Sequence, residues 1–180
     1  MNKIIYLVMF SIAIALVSGL SADFRMYHAE RNFTIAIVTD DQELIDLTPN
    51  QPYAFIDSDN GELIVRFDAE NENYPGYGKG VSPDSKYVFD DVFCVSNDLW
   101  EENMTIGMDI DLSSELQGIV KIYSDKSDEG NTDPANATTN LHVVIENGDK
   151  ACIGFVIDTT GIKTGDYTGE MTMHAYPYQE

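Results

Sequence analysis

From residue 31 onward this chain is built of short runs in which apolar and polar side chains alternate, broken by turn-forming residues. Alternation with a period of two places one apolar face on each segment, which is the pattern of a half-buried β-strand. Phe33, Ile35 and Ile37 oppose Thr34, Ala36 and Val38, and Leu63, Val65 and Phe67 oppose Ile64, Arg66 and Asp68. Met104, Ile106, Met108 and Ile110 oppose Thr105, Gly107, Asp109 and Asp111. Further strands are expected at VFDDVFCVS (88–96), IVKIY (119–123), 141–146 and YTGEMTMHAY (167–176). Residues 151–157 are almost all apolar, which predicts a central strand covered on both faces. Asp59-Asn60-Gly61 and Glu146-Asn147-Gly148-Asp149 read as hairpin turns. The stretches 71–85 and 124–139 read as loops. A 3.6-residue period is limited to single turns near Gln42–Leu47 and Ser113–Leu116. The expected architecture is all-β: an antiparallel β-sandwich, jelly-roll or Ig-like, formed by one domain over residues 32–180.

The N-terminus has a different character. Lys3 precedes an apolar run from Ile4 to Val17, small residues follow at Ser18, Gly19, Ser21 and Ala22, and charge returns at Asp23. That is the layout of a secretory signal peptide, here a signal helix over residues 1–22, with Ala22 as its last residue. The uncharged stretch from Ile4 to Ala22 is also long enough to span a hydrocarbon core of ~30 Å, so a retained anchor is the alternative reading. Residues 23–31 then form an extended mature N-terminus. An exported protein of the cell surface or extracellular space is expected, touching the membrane only through an uncleaved N-terminal segment.

Charge narrows the partners. Against 31 Asp and Glu stand 10 Lys and Arg, a formal net charge of −21. Nucleic acid phosphates and anionic headgroups are repelled by such a surface. Cations and basic partners are not. Outside the cytoplasm, Cys94 and Cys152 read as one disulfide, because both lie in strand-like runs and no further Cys is present. Asn32, Asn103 and Asn136 each head an N-glycosylation sequon.

Catalytic constellations are scarce. The sequence has no HExxH and no GxSxG, and the Gly-rich stretch around Lys79 lacks the spacing of a phosphate-binding loop. Of three histidines, His28 falls in the mature N-terminus, His142 on the polar side of its strand and His174 near the C-terminus. No catalytic residue and no cofactor-binding residue is assigned, and the expectation is a protein that is not an enzyme. For metal, Asp125-Lys126-Ser127-Asp128-Glu129-Gly130 is oxygen-rich, but position twelve of an EF-hand loop would fall on Asn136 rather than Glu. A weak structural calcium held by Asp125, Asp128 and Glu129 is the metal reading, against an ordinary acidic turn. Asp90 and Asp91 interrupt an apolar strand, and one of them is expected to face an apolar side while accepting backbone N–H groups. Tyr74, Tyr77, Trp100, Tyr176 and Tyr178 lie in or near loops and the tail, where exposed rings can form a binding platform.

Residues 78–87, GKGVSPDSKY, followed by Phe89-Asp90-Asp91-Val92-Phe93 and Val95-Ser96-Asn97, resemble the signature of an archaeal exported family, domain of unknown function 1102. That signature runs roughly GxGVNxxAxYxFDxVFxVxN. Glu30-Arg31, Asp40 and Leu44 resemble the family's mature N-terminus, and Gly148-Asp149, Ile153-Gly154-Phe155 and Asp158-Thr159 its next-to-last strand. Ser82 stands where Asn is usual, and Asp98-Leu99-Trp100 where a Gly-containing turn is usual. The resemblance implies no catalytic residues. The layout is more distantly similar to the camelysin and TasA group of secreted β-sandwiches, some of which build biofilm fibres. The expected role is a surface structural subunit, assembling with itself or other envelope proteins by donating a strand from Asp23 to about Arg31. A monomeric surface module binding glycan, cation or protein is the alternative.

Overall fold

Burial follows the alternation. Leu63, Val65 and Phe67 are buried while Ile64 and Arg66 are half-exposed, and Leu141, Val143 and Ile145 are buried between exposed or half-exposed neighbours. These positions come from a computed structural model, which describes residues 33–37, 45–50, 52–59, 61–71, 73, 80–97 and 104–178. The expected leader at 1–22 and extended segment at 23–31 lie outside the described residues, as do Asn32, Asn103, Tyr74, Tyr77 and Trp100.

Among the described residues, ten strands form two sheets packed face to face. They are β1 (Phe33–Ile37), β2 (Asp46–Pro49), β3 (Ala54–Ile56), β4 (Leu63–Arg66) and β5 (Lys86–Ser96), then β6 (Ile106–Leu112), β7 (Val120–Ser124), β8 (Asn140–Ile145), β9 (Lys150–Asp158) and β10 (Tyr167–Pro177). The larger sheet has the order β3-β4-β1-β10-β6-β8, and the smaller β2-β5-β9-β7. The helical element among the described residues is one 3-10 turn, Pro134–Asn136, whose backbone N–H groups are capped by Asp133.

One pairing departs from the antiparallel expectation. β1 runs parallel to β10, in register from Phe33 opposite Tyr167 to Ile37 opposite Met171, while its other edge pairs antiparallel with β4. The N-terminal strand thus occupies an interior slot between β4 and the C-terminal strand, with Ile35 fully buried beneath it. Two other sequence expectations also change. Asp46 and Leu47, at the end of the helical turn expected near Gln42–Leu47, belong to a strand paired with β5, and residues 42–44 lie outside the described residues. Asn147-Gly148 is a tight turn, with Gly148 at φ +77°, but it joins the two sheets instead of closing a hairpin.

The core fills the space between the sheets. Phe67 at the end of β4 touches Phe89 of β5 at 4.5 Å between ring centroids and Phe155 of β9 at 6.5 Å, and Phe93 meets Phe155 at 6.2 Å. These rings join both sheets through aromatic contacts of favourable, non-sandwich geometry. The apolar run 151–157 is central as expected: β9 lies between β5 and β7, and Ile153, Phe155, Val156 and Ile157 are all buried.

The segment after β7 closes one side of the sandwich. Ile122 and Thr138 exchange backbone hydrogen bonds at 2.7 and 2.9 Å along the outer edge of β7. Val144 N–H donates to the Lys126 carbonyl at 3.3 Å along the outer edge of β8. Both edges are therefore partnered by the same loop, which removes two rows of open backbone groups.

Cys94 and Cys152 are bonded, and stand directly opposite each other in β5 and β9 with Cα atoms 4.0 Å apart. That separation is close to a non-hydrogen-bonded antiparallel pair, whose side chains approach most nearly. The bridge spans a sequence separation of 58 residues. Replacing both cysteines with Ala should lower stability by about 4 kcal/mol on the chain-entropy account. Urea denaturation of the oxidised protein against the double variant checks this, and equal midpoints would show that the strand pairing needs no bridge.

Candidate functional site

The signature segment builds a joint. Val81 is buried, and Asp84 adopts a left-handed φ of 47°. Thr159, fully buried at the end of β9, grips this loop. Its hydroxyl lies 2.8 Å from the Ser82 carbonyl, and it accepts the Ser85 N–H at 3.0 Å. Thr159 N–H donates to the Ser85 carbonyl at 2.9 Å, and Gly161 N–H donates to the Asp84 carboxylate at 2.9 Å. Tyr87 OH accepts the Ser82 N–H at 3.0 Å. Residues 80–87 and 158–161, two separate parts of the resemblance, thus interlock around the buried Thr159.

Asn97 does similar work at the other end of β5. It is fully buried, and its side-chain amide donates to the Met104 carbonyl at 2.8 Å and to the Ile145 carbonyl at 2.9 Å. Its own N–H donates to Asp149 O at 3.1 Å. Asn97 therefore ties the smaller sheet to β8 through its side chain and to the Asn147-Gly148 corner through its backbone.

Asp90 and Asp91 sit in a β-bulge. Phe89 pairs with Phe155 and Phe93 with Ile153, so residues 90–92 oppose Gly154 alone. The extra residues turn both carboxylates to solvent, with Asp91 at φ +50°, so neither faces an apolar side. Asp90 accepts a hydrogen bond from the Tyr123 hydroxyl. Tyr123 lies across Gly154, where any Cβ would come within 2.3 Å of its ring. Burial, and then the Asp90 hydrogen bond, push the Tyr123 phenol far above its ordinary range.

The groups that reach outward together lie elsewhere, on the outer face of β10, β6 and β8. Register places His174 opposite Asp109, Asp109 opposite His142, Tyr176 opposite Gly107, and Asp111 opposite Asn140. His142 Nδ1 is 2.6 Å from Asp109 Oδ1, and its Nε2 is 3.7 Å from Asp128 Oδ2. Asn140 donates to Asp111. Around His142 stand Tyr176, with centroids 6.3 Å apart, and Tyr178, at 6.2 Å; His174 lies 5.6 Å from Tyr176. Burial, and then the charge of Asp109, raise the Tyr176 phenol above its ordinary value. Asp109, Asp111, Glu129, Asn140 and His142 line a groove of about 190 Å³ beside these rings.

Of the sequence-assigned metal residues, Asp128 faces His142, Glu129 joins the groove and Asp125 is exposed with its carboxylate 3.5 Å from Ser124 Oγ. Among the described residues no three His, Cys, Asp or Glu side chains converge in a metal-holding group. Asn136 is exposed on its 3-10 turn, with its amide directed to the Gly130 carbonyl at 3.3 Å. A larger groove over β1 and β10 is lined by Thr34, Ser113, Glu115, Thr168, Gly169 and Glu170. There Ser113 and Glu170 are hydrogen-bonded to each other, Ser113 N–H to the Glu170 carbonyl and Glu170 N–H to Ser113 Oγ.

Thr159→Val keeps the shape of the joint and deletes its hydroxyl. It should cost about 1–2 kcal/mol, because Ser85 N–H and the Ser82 carbonyl lose a partner in a part-buried site. A urea midpoint unchanged from the parent would show that the loop holds without this grip.

No curated protein matches the chain. Residues 37–179 match the family described as Protein of unknown function (DUF1102). The matched region takes in the Thr159 joint, the Asn97 tie, the Asp90 bulge and the outer-face cluster, and the chain belongs to that family.

Proposed function

We propose that this chain is an exported structural protein of the cell surface or extracellular space, that it has no catalytic role, and that its copies associate by exchanging N-terminal strands. The observation that carries the reading is the position of β1. It fills an interior slot, with five residues paired to β10 on one side and four to β4 on the other. Backbone pairing does not record which chain supplies the strand, so the same slot accepts β1 from a second copy. The edges are poorer acceptors. β7 and β8 are covered by the 124–139 loop, β3 has three residues, and β2 has four including Pro49. The donated element is therefore β1 in its slot, with the 23–31 segment leading into it, rather than 23–31 laid on an open edge. A disulfide between neighbouring strands agrees, weakly, with life outside the cytoplasm.

Two measurements test this. Intact-mass analysis of native protein should show loss of about the first 22 residues; a full-length protein held in the membrane fraction would instead establish the anchor. For assembly, Thr34→Cys and Thr168→Cys place thiols at register partners on β1 and β10. Oxidation of concentrated double variant should give covalent dimers and larger species on non-reducing gels. Exclusive formation of internally linked monomer at every concentration would reject strand exchange.

A further inference from the structure

The outer face of β10, β6 and β8 has a construction that the strand slot does not explain. Tyr176, Tyr178, His142 and His174 gather on one sheet face, with neighbouring ring centroids 5.6–6.3 Å apart and angles between ring planes of 26–41°. The floor beneath the two tyrosines is Gly107. A Cβ at Gly107 would lie 2.8 Å from Tyr176 Cε2 and 3.1 Å from Tyr178 Cδ2, so the rings lie down against the backbone of β6. Rings laid flat on a sheet turn their other faces outward. Tyr176 and Tyr178 are accordingly half-buried, and His174 is exposed. The result is a pavement of four rings, bordered by the carboxylates of Asp109, Asp111, Asp128 and Glu129.

We propose that this face is a docking platform for a basic segment of a partner protein, recognised through arginine side chains. A guanidinium is flat: it stacks on an aromatic face while its in-plane N–H groups reach carboxylates. Pavement and rim supply those two partners side by side. The chain's net charge of −21 draws such a segment in and turns away anionic ones. A neutral glycan would also stack on the rings. It would, however, cover the rim carboxylates without compensating their charge, which costs more than hydroxyl contacts return. This platform lies on the outer face of the larger sheet and needs no strand exchange.

The test is titration of the full mature chain with tetra-arginine amide by calorimetry at physiological salt, beside a neutral oligosaccharide. Three variants are compared, each checked for folding by circular dichroism. Tyr176→Leu keeps the charge and removes a ring, and should weaken the arginine peptide about threefold to fivefold. Asp111→Asn removes a rim charge and should weaken it about threefold. Asp46→Asn removes the same charge from β2 in the other sheet and should leave binding unchanged. The proposal is overturned by any of three results: no heat of binding at millimolar peptide, tighter binding of the oligosaccharide, or Asp46→Asn weakening the peptide as much as Asp111→Asn with Tyr176→Leu inert. The last result would identify general attraction to an acidic surface. If Tyr176→Leu fails to fold, Asp111→Asn against Asp46→Asn still decides between platform and general attraction.

Discussion

The continuity of the larger sheet rests on a five-residue strand. β4 and β10 do not pair with each other; each pairs with β1, and Ile35 of β1 is fully buried in the core between the sheets. Take β1 away and two interior edges open at once, each a row of unpaired N–H and C=O groups. A β-sandwich can tolerate an open outer edge, but not a gap through its middle. The slot must be filled, and the parallel register with β10 lets a strand arriving from the other end of the sequence fill it. Everything proposed about self-association follows from that requirement, because a slot defined by backbone pairing is indifferent to the chain that enters it.

The rest of the molecule is arranged to leave few alternatives. The loop from β7 to β8 lies along both of their edges, and Lys126 ties it to Asp149 at the corner between the sheets. Asn97 and Thr159, both fully buried, hold the two ends of β5 to other segments through hydrogen bonds. Part of the acidity is used in the same way. Asp57, Asp68, Asp133 and Asp158 each accept the backbone N–H two residues onward, at 2.7–3.0 Å. These are Asx turns, in which a carboxylate replaces a backbone acceptor and fixes the chain's direction. The negative surface is thus partly the outward side of the turn chemistry. The bordered ring pavement is a separate matter, since Asp109 and Asp111 meet side chains across strands.

Apolar patterning is enough to find β1 and β4 through β10: most of those runs carry one buried face, and β9 stands out as an almost continuous apolar run. It failed at β2 and β3. Asp46-Leu47-Thr48-Pro49 carries a charge and a proline in four residues, and Ala54–Ile56 has three residues, too few for a period to register. The Asn147-Gly148 turn was read correctly as a turn and wrongly as a hairpin. Its residues set local backbone shape, while Asn97, about fifty positions earlier, holds the strand on its far side to the other sheet. The doublet Asp90-Asp91 looked like a buried charge because alternation assumes an unbroken ladder, and the bulge opposite Gly154 breaks it. The outer-face cluster was half visible: Asp109, His142 and Asn140 stand at polar positions of their strands. That they meet depends on the register of β6 with β8 and β10, which no single strand encodes.

The central claim is that β1 is an integral strand of the larger sheet. Native-state amide hydrogen exchange on the protein tests it most directly. If the slot is filled, from within or by a neighbour, the amides of β4 and β10 that face β1 should be protected nearly as strongly as those between β5 and β9. Removal of the chain up to Ile37 should then collapse that protection while leaving β5 and β9 slow to exchange. Amides along β4 and β10 that exchange as fast as loop positions before truncation, or that keep their protection after it, would contradict the account.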